Sequence, residues 1–143
     1  MKHMCIIAFL AFQMLPHAAH ALSCAPPVMT EETMMAAAVI FEGTVTASEE
    51  TDEQPASKGM GGKSGLYTFT VKSAWKGVKA GDSVTVLRNT YWGDGFSKDV
   101  DYLVVAHKNG EQLEAHLCGL SMQLDQAAKP LEFLKKHIKD KAE

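Results

Sequence analysis

The chain has 143 residues, with 14 basic against 17 acidic side chains and a formal net charge of −3. That length holds one domain and one modest core, which leaves no room for a second. The acidic balance excludes the basic stripe that recruits nucleic acid, so no nucleic-acid partner is expected.

Lys2 and His3 open the chain, and the apolar run Cys5-Ile6-Ile7-Ala8-Phe9-Leu10-Ala11-Phe12 follows before Pro16. About a dozen apolar residues fall short of the roughly 20 needed to cross a bilayer. Ala19-His20-Ala21 then supplies the small residues of a cleavage site. This order predicts a signal peptide over residues 1–21 and a mature chain over residues 22–143, secreted to a periplasm or to the extracellular medium. Gln13, Pro16, His17 and His20 count against a membrane anchor, so no spanning segment is expected after processing. Acylation of Cys24 is disfavoured because Ala21 stands where lipoprotein sites carry Leu.

Processing would discard Cys5 and keep Cys24 and Cys118. In an oxidising compartment two cysteines read as one disulfide in preference to two separate thiols. Such a bond would close a loop of about 95 residues, worth roughly 4–5 kcal/mol in the chain-entropy model.

Thr30 is placed to cap a short helix that carries Glu31 and Glu32 in its first turn and continues through Met34-Met35-Ala36-Ala37-Ala38. From Val39 the period changes. Val39, Phe41, Gly43 and Val45 alternate with Ile40, Glu42, Thr44 and Thr46, the signature of a strand. Residues 49–65 are polar and rich in glycine and serine, which predicts a flexible loop. Tyr67, Phe69, Val71, Ser73 and Trp75 then share one face of a second strand, and Val84 and Val86 share one face of a third.

Residues 89–98 carry Tyr91, Trp92 and Phe96 among glycines. These aromatics are candidate binding residues, although a plug closing one end of a barrel is the preferred reading. Asn109-Gly110 marks a hairpin between Tyr102-Leu103-Val104-Val105-Ala106 and Gln112-Leu113-Glu114-Ala115-His116-Leu117. A two-residue turn there pairs Ala106 with Leu113, Val104 with Ala115 and Tyr102 with Leu117, six apolar residues on one face. Ala127, Leu131, Leu134 and Ile138 recur at helical spacing, which predicts a C-terminal amphipathic helix over residues 126–139.

The order of short strands closed by helices resembles a five-stranded Greek-key barrel of the OB type, a mainly β fold. Val39-Ile40-Phe41-Glu42-Gly43-Thr44-Val45, Tyr67-Thr68-Phe69-Thr70-Val71, Trp75-Lys76-Gly77, Gly81-Asp82-Ser83-Val84-Thr85-Val86 and Tyr102-Leu103-Val104-Val105-Ala106 sharpen it. In that order they resemble bacterial TIMP-like (netrin-like) secreted domains, over about residues 24–120. The family usually opens with Cys-x-Cys and carries a further Cys-Gly before the fourth strand. Here those positions read Leu22-Ser23-Cys24 and Trp92-Gly93. If the family's first cysteine pairs with the middle one, both partners of one bridge are absent together, and Leu22 against Trp92 would replace it by an apolar contact.

The resemblance implies a non-catalytic secreted binding module with an unidentified protein partner. In the animal inhibitors of this family, the first residue's amine and carbonyl chelate a protease's zinc and the second side chain enters its specificity pocket. Leu22 and Ser23 stand at those places, so inhibition of a secreted zinc protease is one alternative and a structural, envelope-associated domain is another.

No catalytic residue, cofactor or metal ligand is expected from the residues themselves. Ser64, Ser73 and Ser83 lack a nucleophile elbow, and the acidic clusters are explained by a helix start and a polar loop. The expected register sets His107 opposite Gln112 and His116 opposite Leu103, roughly 13 Å apart along the strand, too far to share one zinc. His137 suits the end of the last helix. Met29, Met34 and Met35 read as core filler in preference to a copper(I) site.

Overall fold

A computed structural model describes residue 24 and residues 27–52, 63–90 and 95–138. The expected signal peptide, Leu22, Ser23, Tyr91 and Trp92 lie outside the described residues. No helix among the described residues is long and apolar enough to cross a membrane.

Helix α1 (Glu31–Ala36) starts where its capping chemistry says it should. The Thr30 side-chain oxygen accepts from the Thr33 backbone N–H at 3.1 Å, and the Thr33 hydroxyl oxygen accepts from the Thr30 N–H at 2.9 Å. These reciprocal bonds satisfy donors that a helix start otherwise leaves open. At the other end the Lys76 ammonium donates to the carbonyls of Met35 and Ala37, a cationic cap on a helix C-terminus.

Among the described residues six strands follow: β1 (Val39–Thr51), β2 (Ser64–Lys76), β3 (Ser83–Asn89), β4 (Asp101–Asn109), β5 (Gln112–Glu114) and β6 (Met122–Gln123). They form one sheet in the order β1-β2-β3-β5-β4-β6, and β1 also pairs with β4, so five strands close into a ring. Every pairing is antiparallel except that of β3 with β5. The mainly β fold with two short helices agrees with the sequence reading; β6, which pairs Tyr102 with Gln123 and Leu103 with Met122, was not foreseen.

Three details differ from expectation. First, the ends of the expected loop 49–65 are strand, since Glu49, Glu50 and Thr51 pair with Leu66, Gly65 and Ser64. Glu49 and Glu50 are exposed there, and backbone pairing needs no apolar side chain to announce it. Second, Trp75 does not share the face of Phe69. The β1–β2 register slips between Gly43↔Val71 and Glu42↔Ser73, and again between Phe41↔Ala74 and Ile40↔Lys76, leaving Lys72 and Trp75 as extra residues. Each bulge shifts the phase of the pleat, so Ala74 packs on the inner face and Trp75 on the outer one.

Third, the hairpin turns at Gly110-Glu111. Asn109 pairs with Gln112, Lys108 with Leu113 and His107 with Glu114. Gly110 has φ +63°, and a positive φ at the first central position matches a type II′ turn, whereas Asn109-Gly110 as a type I′ turn would need it at both. The pairing moves by two residues, so the faces survive: Leu113 and Ala115 still pack with Val104 and Ala106.

Two cores result. Phe41, Val45, Phe69, Val86, Tyr102 and Val104 fill the ring, while Met34, Ile40, Leu103, Val105, Leu134 and Ile138 form a second cluster on its outside. Alternation along β1 and β4 sends neighbours to opposite cores. Helix α2 (Ala128–His137) covers the outer cluster with Leu134, as its spacing predicts, after a single 3-10 turn at Leu124–Gln126. Met34 is fully buried there with Met29 beside it, as expected of core filler.

Phe69 is the hub of the inner core, edge-to-face with Phe41 (5.6 Å), Phe96 (5.1 Å) and Tyr102 (6.3 Å). Truncating a buried hub leaves a cavity as well as lost transfer energy, so Phe69→Ala should cost about 3–5 kcal/mol. Urea unfolding monitored by circular dichroism measures it, and a loss below about 1 kcal/mol would show that Phe69 is not central.

A polar clasp joins three strands at the ring's rim. Asp101 on β4 accepts from the Thr44 hydroxyl at 2.6 Å and from the Lys72 ammonium at 2.8 and 2.7 Å. Lys72 first, then Thr44, hold the Asp101 carboxyl below its ordinary 3.8. A carboxylate with a lowered folded pKa adds stability above its unfolded value, and that stability is lost as pH falls through the folded one. Carboxyl NMR should therefore find Asp101 titrating below 3.8, rising toward it in Lys72→Met; an unchanged midpoint in the variant would contradict the clasp.

Candidate functional site

The segment leading into α1 is fastened to the segment that follows the hairpin. Cys24 is disulfide-bonded to Cys118 across a sequence separation of 94, with α-carbons 5.3 Å apart. Beyond Glu114 the chain leaves β4, the Ala115 N–H donating to the Leu87 carbonyl of β3 at 2.9 Å. A tight turn follows, closed by the Gly119 N–H to the His116 carbonyl at 3.0 Å, and it carries Cys118. Residues 27–30 then lead from the cysteine anchor into α1. Leu22 and Ser23, the expected inhibitory residues, directly precede the anchor in sequence.

Beside this anchor His107 and His116 lie against each other, ring centroids 5.2 Å apart and planes tilted by 49°. The expected separation of roughly 13 Å is therefore corrected. The reason is the turn: with His107 opposite Glu114 at the end of β5, the chain just beyond brings His116 alongside His107. The sequence signal for this was Gly110 followed by Glu111, a glycine at the first turn position. The Asn109-Gly110 dipeptide obscured it.

The pair is embedded. Ala36, at the end of α1, lines the same cavity as His107, and a Glu114 carboxylate oxygen lies 3.7 Å from His116 Nδ1. Glu114 is buried and also accepts from the Asn109 amide at 3.3 Å. Burial, then the neighbouring His116, push His107 below its ordinary 6.5, against the Ala36 backbone and Glu114, which pull it up. A cavity of about 320 Å³ opens over both rings, walled by Val28, Thr33, Ala36, Val105 and Leu120. Val28 is 70 % exposed at its edge, a large apolar side chain left on the surface next to the anchor. Among the described residues no group of three or more His, Cys, Asp or Glu side chains is arranged to hold a metal ion.

Of the aromatic candidates Tyr91, Trp92 and Phe96, the described residues include Phe96. Phe96 is buried, edge-to-face with Tyr67 (5.2 Å) and Tyr102 (4.8 Å), and the Arg88 guanidinium lies 4.4 Å over its ring. It packs as a plug and offers no surface. The Tyr67 hydroxyl needs the neighbouring chain to come close: a Cβ on Gly95 would sit 2.2 Å from it, so only glycine fits there. Burial holds the Tyr67 phenol above its ordinary 10.0, with Arg88 opposing. A second cavity, about 420 Å³, opens beside Tyr67 and is lined by Glu49, Glu50, Ser64 and Thr90. His137 stacks on Phe133 at the end of α2, centroids 4.4 Å apart.

No protein-family model matches the chain, and no curated protein matches it. Its functional reading therefore rests on the geometry around the anchor.

The disulfide ties together two segments far apart in sequence, so its loss frees much chain entropy in the unfolded state. Cys24→Ala with Cys118→Ala should lower unfolding free energy by about 4–5 kcal/mol. Guanidinium unfolding of the oxidised parent against this double variant measures it; equal midpoints would mean the bond stabilises nothing.

Proposed function

We propose that the chain is an exported, non-catalytic binding module of the OB type that meets its protein partner through the residues leading into Cys24. The observation that carries this reading is the covalent tie of Cys24 to Cys118, which gives those residues a fixed point of departure. Ordering a free chain on binding costs on the order of 1–2 kcal/mol per residue. A segment of two residues beside a covalent anchor loses little, and so suits a role in which Leu22 and Ser23 are presented to a partner.

The ring order supports the OB reading. Five strands linked β1-β2-β3-β5-β4 and back to β1, with β3 and β5 parallel, fit a small Greek-key barrel, which is the fold the TIMP-like resemblance implies. Within that resemblance the retained bridge is the one that Cys24 and Cys118 form. The specific form of the proposal is inhibition of a secreted zinc protease, with the amine and carbonyl of Leu22 on the zinc and Ser23 in the specificity pocket. Val28, exposed near the same anchor, adds apolar surface for the partner.

Residual hydrolysis by a secreted zinc protease, titrated with protein beginning at Leu22, should fall. Protein with one extra N-terminal residue should leave hydrolysis intact, because an acylated amine no longer ligates zinc. Equal inhibition by both forms would contradict chelation. The broader binding reading is read separately, by crosslinking from residue 23 in the exporting cell's periplasm or medium. One specific adduct that disappears on Cys24→Ser supports it, and absence of any specific adduct overturns it.

A further inference from the structure

We propose that His107 and His116 form a two-imidazole binding site for a divalent transition-metal ion, completed by water in the cavity above them. The inference is independent of the protease reading, which would use the chain's amine on another protein's zinc.

The spacing fits. With metal–nitrogen bonds of about 2.0–2.1 Å, two imidazoles on one ion at a tetrahedral angle have ring centres roughly 5 Å apart. His107 and His116 stand at 5.2 Å. A ligating histidine usually donates its second ring N–H to a backbone carbonyl or a carboxylate, which fixes the tautomer and leaves the remaining nitrogen's lone pair for the metal. A carboxylate stands near one of the two rings: an oxygen of Glu114 lies 3.7 Å from Nδ1 of His116.

The surroundings suit an ion that brings its own water. His116 is exposed and His107 half-buried, so the rings can be reached from solvent. The cavity of about 320 Å³ has room for coordinated water, and its mainly apolar walls limit competing protein ligands. Glu114, buried behind His116, offsets part of the ion's charge. Two nitrogens and water favour copper(II), nickel(II) or zinc(II) among divalent ions and disfavour magnesium and calcium, which want oxygen. The ion would join β4, through His107, to the turn that carries Cys118, through His116.

The test uses the oxidised full chain with His3, His17 and His20 replaced by Asn in every sample, so that the N-terminal histidines contribute nothing. Copper(II) alone is titrated by calorimetry, with magnesium as control. The site predicts one copper(II) per chain, a two-nitrogen hyperfine pattern in electron paramagnetic resonance, and weakening by about tenfold or more in either His107→Ala or His116→Ala. His137→Ala should bind as the parent does. Zinc(II) should raise the parent's Tm and leave that of both site variants unmoved. Should His107→Ala fail to fold, His116→Ala decides, because its exposed ring is dispensable to packing. Undiminished binding in His116→Ala, a one-nitrogen spectrum, or no saturable copper site overturns the proposal.

Discussion

One covalent constraint, Cys24 to Cys118, organises the outer half of this molecule. The outer core is built from chain ends: α1 comes from the beginning, α2 from the close, and both lie on the face of β1 and β4 that carries Ile40, Leu103 and Val105. Such ends fray unless tied down. A helix of six residues has no stability of its own, because nucleation costs more than so few backbone bonds return. α1 persists through its reciprocal threonine cap, the burial of Met34, the Lys76 cap on its last carbonyls, and the bond that holds the preceding segment to the turn after β5.

The inner core has a different basis. It is closed by backbone pairing, with β1 serving two neighbours at once along Ile40–Thr44, and by a cluster of aromatic rings around Phe69. The bulges at Lys72 and Trp75 in β2 let one long strand pair satisfy both cores, since each extra residue swaps the faces beyond it. Lys72, one of those extra residues, turns outward to the Asp101 clasp; Trp75, the other, covers the outer cluster. The Ser121 hydroxyl does similar joining work near β6, accepting from the Val105 N–H at 2.9 Å and donating to the Val105 carbonyl at 3.0 Å.

Much of this was legible in the residues because local rules and global packing agree. The alternation of Val39, Phe41 and Val45 against Ile40 reflects two real faces, and the spacing of Leu134 and Ile138 reflects a helix on a sheet. Thr30, Glu31 and Glu32 announce α1 in terms of the donors a helix start must satisfy. What stayed hidden depends on single-residue register. Nothing local at Lys72 or Trp75 marks a bulge, since a bulge is a property of the pair of strands. Likewise Asn109-Gly110 and Gly110-Glu111 are both acceptable turns, and the choice between them decides whether His107 and His116 are distant or adjacent. The candidate site was missed for that reason alone, although both histidines were in view.

The junction of the segment before α1 with the turn at Cys118 underlies the stability of α1 and the setting of the histidine pair. Its most direct test is peptide mapping of the protein purified without reductant, alkylated before denaturation and digested without reductant. The account predicts one linked species in which the peptide holding Cys24 is joined to the peptide holding Cys118, separating only on reduction. Recovery of the two peptides unlinked, each with an alkylated thiol, would contradict it.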